Sequence, residues 1–207
     1  MLDVVLDLSH WNPVTSWQAI KAAGIVGVIH KATQGTDFVD TQYHARRQDA
    51  LHAGLLWGAY HFGEAGPVLP QVHHFLATAQ PTPTDLLVLD FEPCAATMTQ
   101  EGAELFVDEV YLQTRRWCGL YSGMAFCQET LGGGTETPLA RCWLWLARYN
   151  VRPPEVPPAW ETWSLWQYCD NGAVPGVEGY CDRNKFNGTL EQLYRLWGVV
   201  PAEAPRG

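Results

Sequence analysis

Short apolar runs alternate with helix-like segments along the first part of the chain, and this alternation restricts the fold more than any other feature. The runs are continuous, which is typical of strands buried on both faces of a parallel sheet. Such strands are predicted over residues 4–8, 25–32, 55–62, 86–91 and 119–121. Helices are predicted between them over residues 16–23, 41–53 and 70–79. Elements in this order, joined by short connections, indicate consecutive βα units.

Beyond the fifth strand the pattern changes, and strands follow one another with no convincing helix between them. These strands are predicted over residues 142–147, 163–168 and 179–182. Two further helices are predicted to start at capping boxes, Thr97 with Gln100 and Thr189 with Gln192. Five βα units and three strands make eight strands, and closure into a barrel leaves no exposed edge. We therefore predict an α/β barrel in one domain over residues 1–200, with a flexible tail over 201–207.

The fourth predicted strand ends in two carboxylates, Asp90 and Glu92, and Pro93 follows at once. Side chains two residues apart on a strand point to the same side, whereas Phe91 between them points to the other. In parallel barrels the ligand site forms at this end of the strands. An ordinary strand end whose acids cap the next helix would look the same. The pair therefore indicates a ligand site only together with polar residues at the ends of other strands.

Polar residues also end other predicted strands. They are Asp7, Lys31, Tyr60, Tyr121 and Asp182. Four carboxylates around one mouth suit glycoside hydrolysis, which needs a protonated acid for the leaving oxygen and negative charge near an oxocarbenium-like transition state. Crowding raises the pKa of one carboxyl group, and Glu92, with the longest reach, is the predicted proton donor. Lys31 is expected to pair with the acids, to bind substrate, or both.

The spacing of Asp90 and Glu92 leaves the stereochemistry open. Two residues along a strand span ~6.6 Å, between the separations typical of retaining and inverting glycosidases. Direct attack by water and assistance by an N-acetyl group of the substrate both fit these residues. In the second case Asp90 would orient the N-acetyl group.

Segments spread over the chain resemble glycoside hydrolase family 25, the Chalaropsis-type lysozymes or N-acetylmuramidases. In order, they are Asp7-Leu-Ser-His-Trp, Ile29-His-Lys-Ala-Thr-Gln-Gly, Gly58-Ala-Tyr-His-Phe, Leu89-Asp-Phe-Glu, Gly119-Leu-Tyr-Ser-Gly, Trp145-Leu-Ala-Arg-Tyr, Leu165-Trp-Gln-Tyr and Asp182-Arg-Asn-Lys-Phe-Asn-Gly. The resemblance implies a flattened TIM-like barrel, (β/α)5(β)3, and cleavage of the β-1,4 bond between N-acetylmuramic acid and N-acetylglucosamine in peptidoglycan.

The resemblance also implies roles for individual residues. Glu92 matches the catalytic acid, Asp90 its partner carboxylate, and Asp7 and Asp182 the flanking acids. The substrate-binding residues expected from the matching segments are Tyr60, Tyr121, Trp145, Tyr149, Lys31, Phe62, Gln167 and Asn184. His10 and Asn12 depart from the residues usual at their positions, which predicts an altered groove.

Composition argues against several other classes of function. Lys and Arg number 13 against 22 Asp and Glu, giving a net charge of −9 without a basic stripe, which disfavours nucleic acid and anionic lipid as partners. No apolar run approaches the ~20 residues of a membrane span. The histidines, including the adjacent His73 and His74, lack the compact arrangement of zinc ligands, so neither metal nor cofactor is expected.

The expected partner is bacterial peptidoglycan, bound by a monomer. Residues 1–8 lack the basic and long apolar regions of a signal peptide. The sequence thus predicts synthesis in the cytoplasm and action on the bacterial cell wall after lysis or non-classical secretion. The six cysteines are expected mostly as free thiols.

Two alternative functions remain open at this point. One is a non-catalytic glycan-binding barrel, which the presence of both Asp90 and Glu92 disfavours. The other is a hydrolase of another N-acetylated glycan, such as chitin.

Overall fold

The computed structural model describes residues 1–131 and 137–199, and within them eight strands close into a barrel. The strands are β1 (Leu2–Leu8), β2 (Gly27–Gln34), β3 (Phe38–Val39), β4 (Leu56–Phe62), β5 (Leu86–Asp90), β6 (Gly119–Gly123), β7 (Trp143–Ala147), β8 (Leu165–Gly172) and β9 (Cys181–Phe186). The short β3 pairs with the end of β2 beside the barrel and takes no part in closure.

Closure depends on β1, which pairs with β2 in parallel and with β9 in antiparallel orientation. From β2 the order runs through β4, β5, β6 and β7 to β8, all parallel. The last strand, β9, is antiparallel to both of its neighbours. The predicted barrel of five βα units followed by three strands is therefore confirmed.

Helices cover the parallel part of the barrel. They are α1 (Trp17–Ala22), α2 (Tyr43–His52), α3 (Val68–Ala79), α4 (Gln100–Thr114), α5 (Met124–Leu131) and α6 (Leu190–Leu196). The predicted capping box of Thr189 and Gln192 is present at the start of α6. The one predicted at Thr97 is wrong, because its hydroxyl bonds the backbone of Cys94 and Thr99 caps α4 instead.

Two further predictions differ from the structure, and two lie outside the described residues. Residues 33 and 34, predicted as a loop, continue β2, and the last strand runs over Cys181–Phe186 rather than 179–182. Helix α5 was not predicted, because β6 runs directly into it without a capping residue. The glycine triplet at 132–134 and the tail at 201–207 lie outside the described residues.

Alternation along each strand divides the buried side chains into two cores. On β5, Leu87 and Leu89 face outward. Phe91, directly after β5, lies beneath the helices, where its ring meets that of Phe126 at 5.1 Å between centroids. Val88 faces the barrel interior. This alternation carries Asp90 to the interior, as the sequence predicts. None of the described helices is long and apolar enough to cross a membrane.

The end of the barrel at which the parallel strands begin is closed by α6 and the residue that follows it. Trp197 is fully buried, and its indole Nε1 donates to the carbonyl oxygen of Trp57 at 2.9 Å. Gly27 leaves room for that indole, because a Cβ there would lie 3.0 Å from the ring. An apolar plug at this end leaves the other end of the barrel as the place for a polar pocket.

Gly119→Ala tests the packing of the barrel wall. A Cβ at Gly119 would collide with the buried face of the Trp143 indole, so we expect the free energy of unfolding to fall by about 1–3 kcal/mol. Gly123→Ala, at the end of the same strand, meets no atom within 4 Å and should change it by less than about 0.5 kcal/mol. Urea denaturation of both variants makes the measurement. Equal effects would contradict this account of the wall.

Candidate active site

A pocket of about 220 Å³ opens where the parallel strands end. It is lined by Asp7, Tyr60, Asp90, Glu92, Tyr121, Trp145, Tyr149, Gln167 and Asp182. All four predicted acids are thus brought together, with five of the eight predicted substrate-binding residues. Larger grooves of about 370 and 450 Å³ lie around Pro83 and Arg116 at the opposite end of the barrel, where no such cluster of acids lines the wall.

Strand register explains why these side chains meet. Asp7 on β1 lies directly opposite Asp182 on β9. Asp90 on β5 lies opposite Tyr121 on β6, which in turn lies opposite Trp145 on β7. Directly opposed residues in adjacent strands point to the same face, so closure gathers acids and aromatic rings on one wall.

The carboxylate of Asp7 is held by two amides. Gln167 donates from Nε2 to both carboxylate oxygens, at 3.1 and 3.0 Å, while its Oε1 accepts from the hydroxyls of Tyr121 and Tyr149, each at 2.9 Å. Asn184 donates to Asp7 Oδ2 at 2.8 Å and accepts from the Trp145 indole at 2.7 Å. The two tyrosine donors fix which end of the Gln167 amide faces Asp7.

Asp7 and Asp182 share a proton. Burial raises the pKa of both carboxyl groups, and hydrogen bonds from Asn184 and Gln167 oppose the rise at Asp7. Burial, the charge of Asp7 and a hydrogen bond to it raise the pKa of Asp182 to about 8. At neutral pH the Asp182 carboxyl group is therefore mostly protonated, and it can donate this proton to Asp7 in their hydrogen bond.

Asp90 and Glu92 form a second pair with raised pKa values. Burial, and then repulsion from Glu92, raise the pKa of Asp90 well above its ordinary value, and Lys31 opposes the rise. Burial and the charge of Asp7 raise the pKa of the less buried Glu92, again against Lys31. Within the described part of the chain, Asp90 Oδ1 is buried without a hydrogen-bond partner. Such an atom is costly unless a ligand supplies a donor.

Aromatic side chains form the rest of the wall. The rings of Tyr121 and Trp145 meet edge to face at 4.7 Å between centroids. Burial and the neighbouring carboxylates raise the pKa of the Tyr60 and Tyr121 phenols well above the ordinary value, so both hydroxyls stay protonated. Apolar ring surface combined with a fixed polar tip suits a sugar, which presents C–H faces and hydroxyls.

Three predicted substrate-binding residues lie outside the pocket lining. Asn184 is fully buried behind Asp7, so its contacts are with protein. Lys31 lies beside the pocket, with its ammonium 5.0 Å from the ring centre of Phe62 and 5.3 Å from that of Phe38. Its hydrogen bond goes to Gln34 at 2.5 Å. Gln34, and Glu64 beyond it, were not predicted, although Gln34 lies in the segment that begins at Ile29.

The histidines and cysteines take structural places. Buried His61 bonds Thr33 and Gln71, and His74 bonds the carbonyl oxygen of Phe38. Among the described residues no group of three or more His, Cys, Asp and Glu side chains is arranged to hold a metal ion. The six cysteines are free thiols, four of them buried.

A barrel with crowded carboxyl groups in a tyrosine-lined pocket has the architecture of a glycoside hydrolase. The model of the family described as Glycosyl hydrolases family 25 matches residues 6–177, and the chain belongs to this family. The predicted resemblance is therefore confirmed.

Named relatives agree with this assignment. Lysozyme M1 of Streptomyces globisporus is 31% identical over 206 residues, which cover 92% of this chain and 70% of that protein. The crystal structure of the bacterial lysozyme from Streptomyces coelicolor has a TM-score of 0.86 at 30% identity, covering 95% of this chain and 97% of that one. A family GH25 lysozyme from Aspergillus fumigatus has a TM-score of 0.80 at 30% identity, covering 92% and 96%.

The shared proton predicts a pH-dependent effect of Asp182→Asn on stability. The pKa of Asp182 is about 8 in the fold and about 4 in an unfolded chain. The contribution of this group to folding is thus fully present below about pH 4 and is lost as the pH rises towards 8. An asparagine at this position does not titrate, so the variant has no such loss, and its free energy of unfolding should exceed that of the wild type. We expect this excess to be larger at pH 8 than at pH 5 by about 1–3 kcal/mol, after allowance for solvent screening.

Urea denaturation at both pH values measures this difference. Asp49→Asn, at an exposed site on α2, is the matched control and should show no such change between the two pH values. A gain at Asp182→Asn that is the same at both would show that the residue does not bind the extra proton.

Proposed function

We propose that the protein is a lysozyme, an N-acetylmuramidase that cleaves the β-1,4 bond between N-acetylmuramic acid and N-acetylglucosamine in bacterial peptidoglycan. The observation that carries the proposal is the buried Asp90 with an unpartnered Oδ1 beside the less buried Glu92. A saccharide with an N-acetyl group next to the scissile bond offers that oxygen an N–H donor. Family membership and the lysozyme relatives support the same substrate class.

Glu92 is the proposed general acid. Its pKa is raised by burial and by Asp7, which keeps it protonated at mildly acidic pH. A protonated carboxyl group beside the leaving oxygen is what glycoside cleavage requires. Asp7, held ionised by Gln167 and Asn184, adds the negative charge that favours an oxocarbenium-like transition state.

Asp90 is proposed to orient the N-acetyl group. Because Asp90 and Glu92 repel each other, the pair holds one proton near neutral pH. In the empty pocket the proton stays on the more buried Asp90. When the amide N–H of the substrate donates to Oδ1, the ionised form of Asp90 is favoured, and the proton passes to Glu92.

The acetamido carbonyl oxygen then attacks the anomeric carbon while Glu92 gives its proton to the leaving oxygen. The bond that forms is carbon to carbonyl oxygen, and the bond that breaks is the glycosidic one. Because the nucleophile is tethered to the sugar, part of the entropic barrier is removed before reaction. Water, deprotonated by Glu92, then attacks the anomeric carbon from the face that the leaving group left. The bond between that carbon and the acetamido oxygen breaks, which opens the ring.

Glu92→Gln tests the assignment of the acid. We expect the rate of peptidoglycan hydrolysis to fall by about 10²–10⁴-fold, because the amide cannot donate the proton, with no loss of stability to unfolding. Glu101→Gln, on the exposed side of α4, is the control and should keep full activity. The assay uses purified peptidoglycan and, in parallel, chitin. Turnover of chitin alone would favour the alternative hydrolase, and binding without turnover the glycan-binding barrel.

The anomeric configuration of the first product tests the assistance by the N-acetyl group. Assistance involves two displacements at the anomeric carbon, so the β-linked glycan should give the β-anomer first. Proton NMR recorded before mutarotation detects it. An initial α-anomer would mean direct attack by water, and one of the pocket acids would then act as the base.

A further inference from the structure

A bulge in β2 brings Lys31 and Gln34 onto the same side of the strand. Residues three apart on a regular strand point to opposite faces. Here the pairing with β4 shifts between Lys31 and Thr33, so Ala32 is an extra residue. Ala32 packs in the outer core and Thr33 bonds the outward-facing His61. The inserted residue thus returns Gln34 to the side of Lys31, and their side chains meet at 2.5 Å.

The amide of Gln34 links Lys31 to Glu64 in a fixed orientation. Its Oε1 accepts from the Lys31 ammonium, and its Nε2 donates to Glu64 Oε1 at 2.7 Å. An ammonium can only donate and a carboxylate can only accept. The amide therefore has one satisfied orientation between them, with its oxygen on Lys31.

Glu64 is itself anchored on several sides. Its backbone N–H donates to Gln71 Oε1 at 3.1 Å and its carbonyl oxygen accepts from Gln71 Nε2 at 2.8 Å. A short antiparallel bridge pairs Glu64 with Thr97 in the loop after Glu92. The carboxylate lies against Gly35, whose φ of +54° favours glycine, and a Cβ at this position would displace the carboxylate. These contacts fix Glu64, and through Gln34 they hold the Lys31 ammonium in one position.

Lys31 stands among acids without touching them. Several charged or titratable groups face its ammonium: Asp90, Asp40, Glu64 and Glu92, with His61 behind. Those facing Asp90 and Glu92 are Lys31, Asp7, Asp182, Tyr60, Tyr121 and Tyr149. Among the described residues, Lys31 forms no ion pair with a carboxylate oxygen within 4.0 Å.

We propose that Gln34 and Glu64 are positioning residues that fix the Lys31 ammonium beside Asp90 and Glu92 and keep it out of direct ion pairs with them. Nothing in the proposed roles of the pocket acids assigns these two residues, and the catalytic consequence rests on the proposed function. An ammonium in direct contact would strip the proton from the acid pair. Held at its present distance, it lowers the repulsion within the pair while leaving one proton available for the leaving oxygen.

Three of the four variants in the experiment conserve net charge, and the fourth, at Lys31, does not. Gln34→Met removes both hydrogen bonds at nearly constant length, and Glu64→Asp keeps the charge but shortens the reach to Gln34. Gln113→Met is the matched control, because Gln113 donates to Glu109 at the same 2.7 Å on exposed α4. Lys31→Met removes the positive charge itself. The measurement is the pH titration of the Asp90 and Glu92 carboxyl carbons by NMR.

In Gln34→Met and Glu64→Asp the freed ammonium pairs directly with the acids. We expect the titration midpoint of Asp90, Glu92 or both to fall by about 1 pH unit. Lys31→Met should move these midpoints upward, and Gln113→Met should leave them unchanged. The alkaline limb of kcat/KM on peptidoglycan should follow the NMR midpoints, with little change in thermal unfolding.

Two results would overturn the proposal. Midpoints unchanged in Gln34→Met and Glu64→Asp would show that Lys31 is placed without them. An upward shift in both, as in Lys31→Met, would show that they draw the ammonium towards the acids instead of restraining it. The NMR readout needs no turnover, so a wild-type protein that failed to cleave peptidoglycan would refute the proposed function while the positioning role was judged separately.

Discussion

Four carboxyl groups, two buried and two half-buried, lie at one end of a closed barrel, and this is the constraint on which the site depends. Removing one charge from water is costly, and two acids in contact repel as well. The protein meets this constraint with a hydrogen bond between two of the acids and with neutral amides rather than with a cation against every acid. Asp7 receives N–H groups from Gln167 and Asn184, and Asp182 donates a proton to it. The one nearby lysine contacts an amide instead.

Two glutamines therefore have similar roles, one in the pocket lining and the other beside the pocket. Gln167 stands between tyrosine hydroxyls that donate and a carboxylate that accepts, and Gln34 stands between an ammonium and a carboxylate. In each case the partners leave the amide a single orientation. An amide fixed in this way holds a charged side chain in place without adding a charge of its own. The acids keep their raised pKa values, which a cation in direct contact with them would lower.

The strands and the location of the acids could be predicted from the sequence because they follow from local patterns. Continuous apolar runs marked the buried strands, and alternation along β5 placed Asp90 on the inner face. The bulge at Ala32 could not be predicted, because the apolar run in the sequence looks the same whether or not one of its residues is unpaired. The roles of Asn184 and Gln167 could not be predicted either, because both side chains bond Asp7, which is separated from them by most of the chain. The error at Thr97 has the same origin: the capping spacing is local, but a turn to Cys94 takes its hydroxyl.

The position of β9 has a consequence for synthesis of the protein. Asp7 is synthesised well before the strand that carries Asp182 and Asn184, because the strands β2 to β8 and the helices α1 to α5 lie between them in the chain order. The hydrogen bond from Asn184 to Asp7 spans 177 positions of sequence. A nascent chain lacking β9 exposes unpaired edges on β1 and β8, and it lacks both Asp182 and the Asn184 amide that bonds Asp7. The pocket is thus completed only after β9 has been made, and a polypeptide that stops before β9 carries no assembled site.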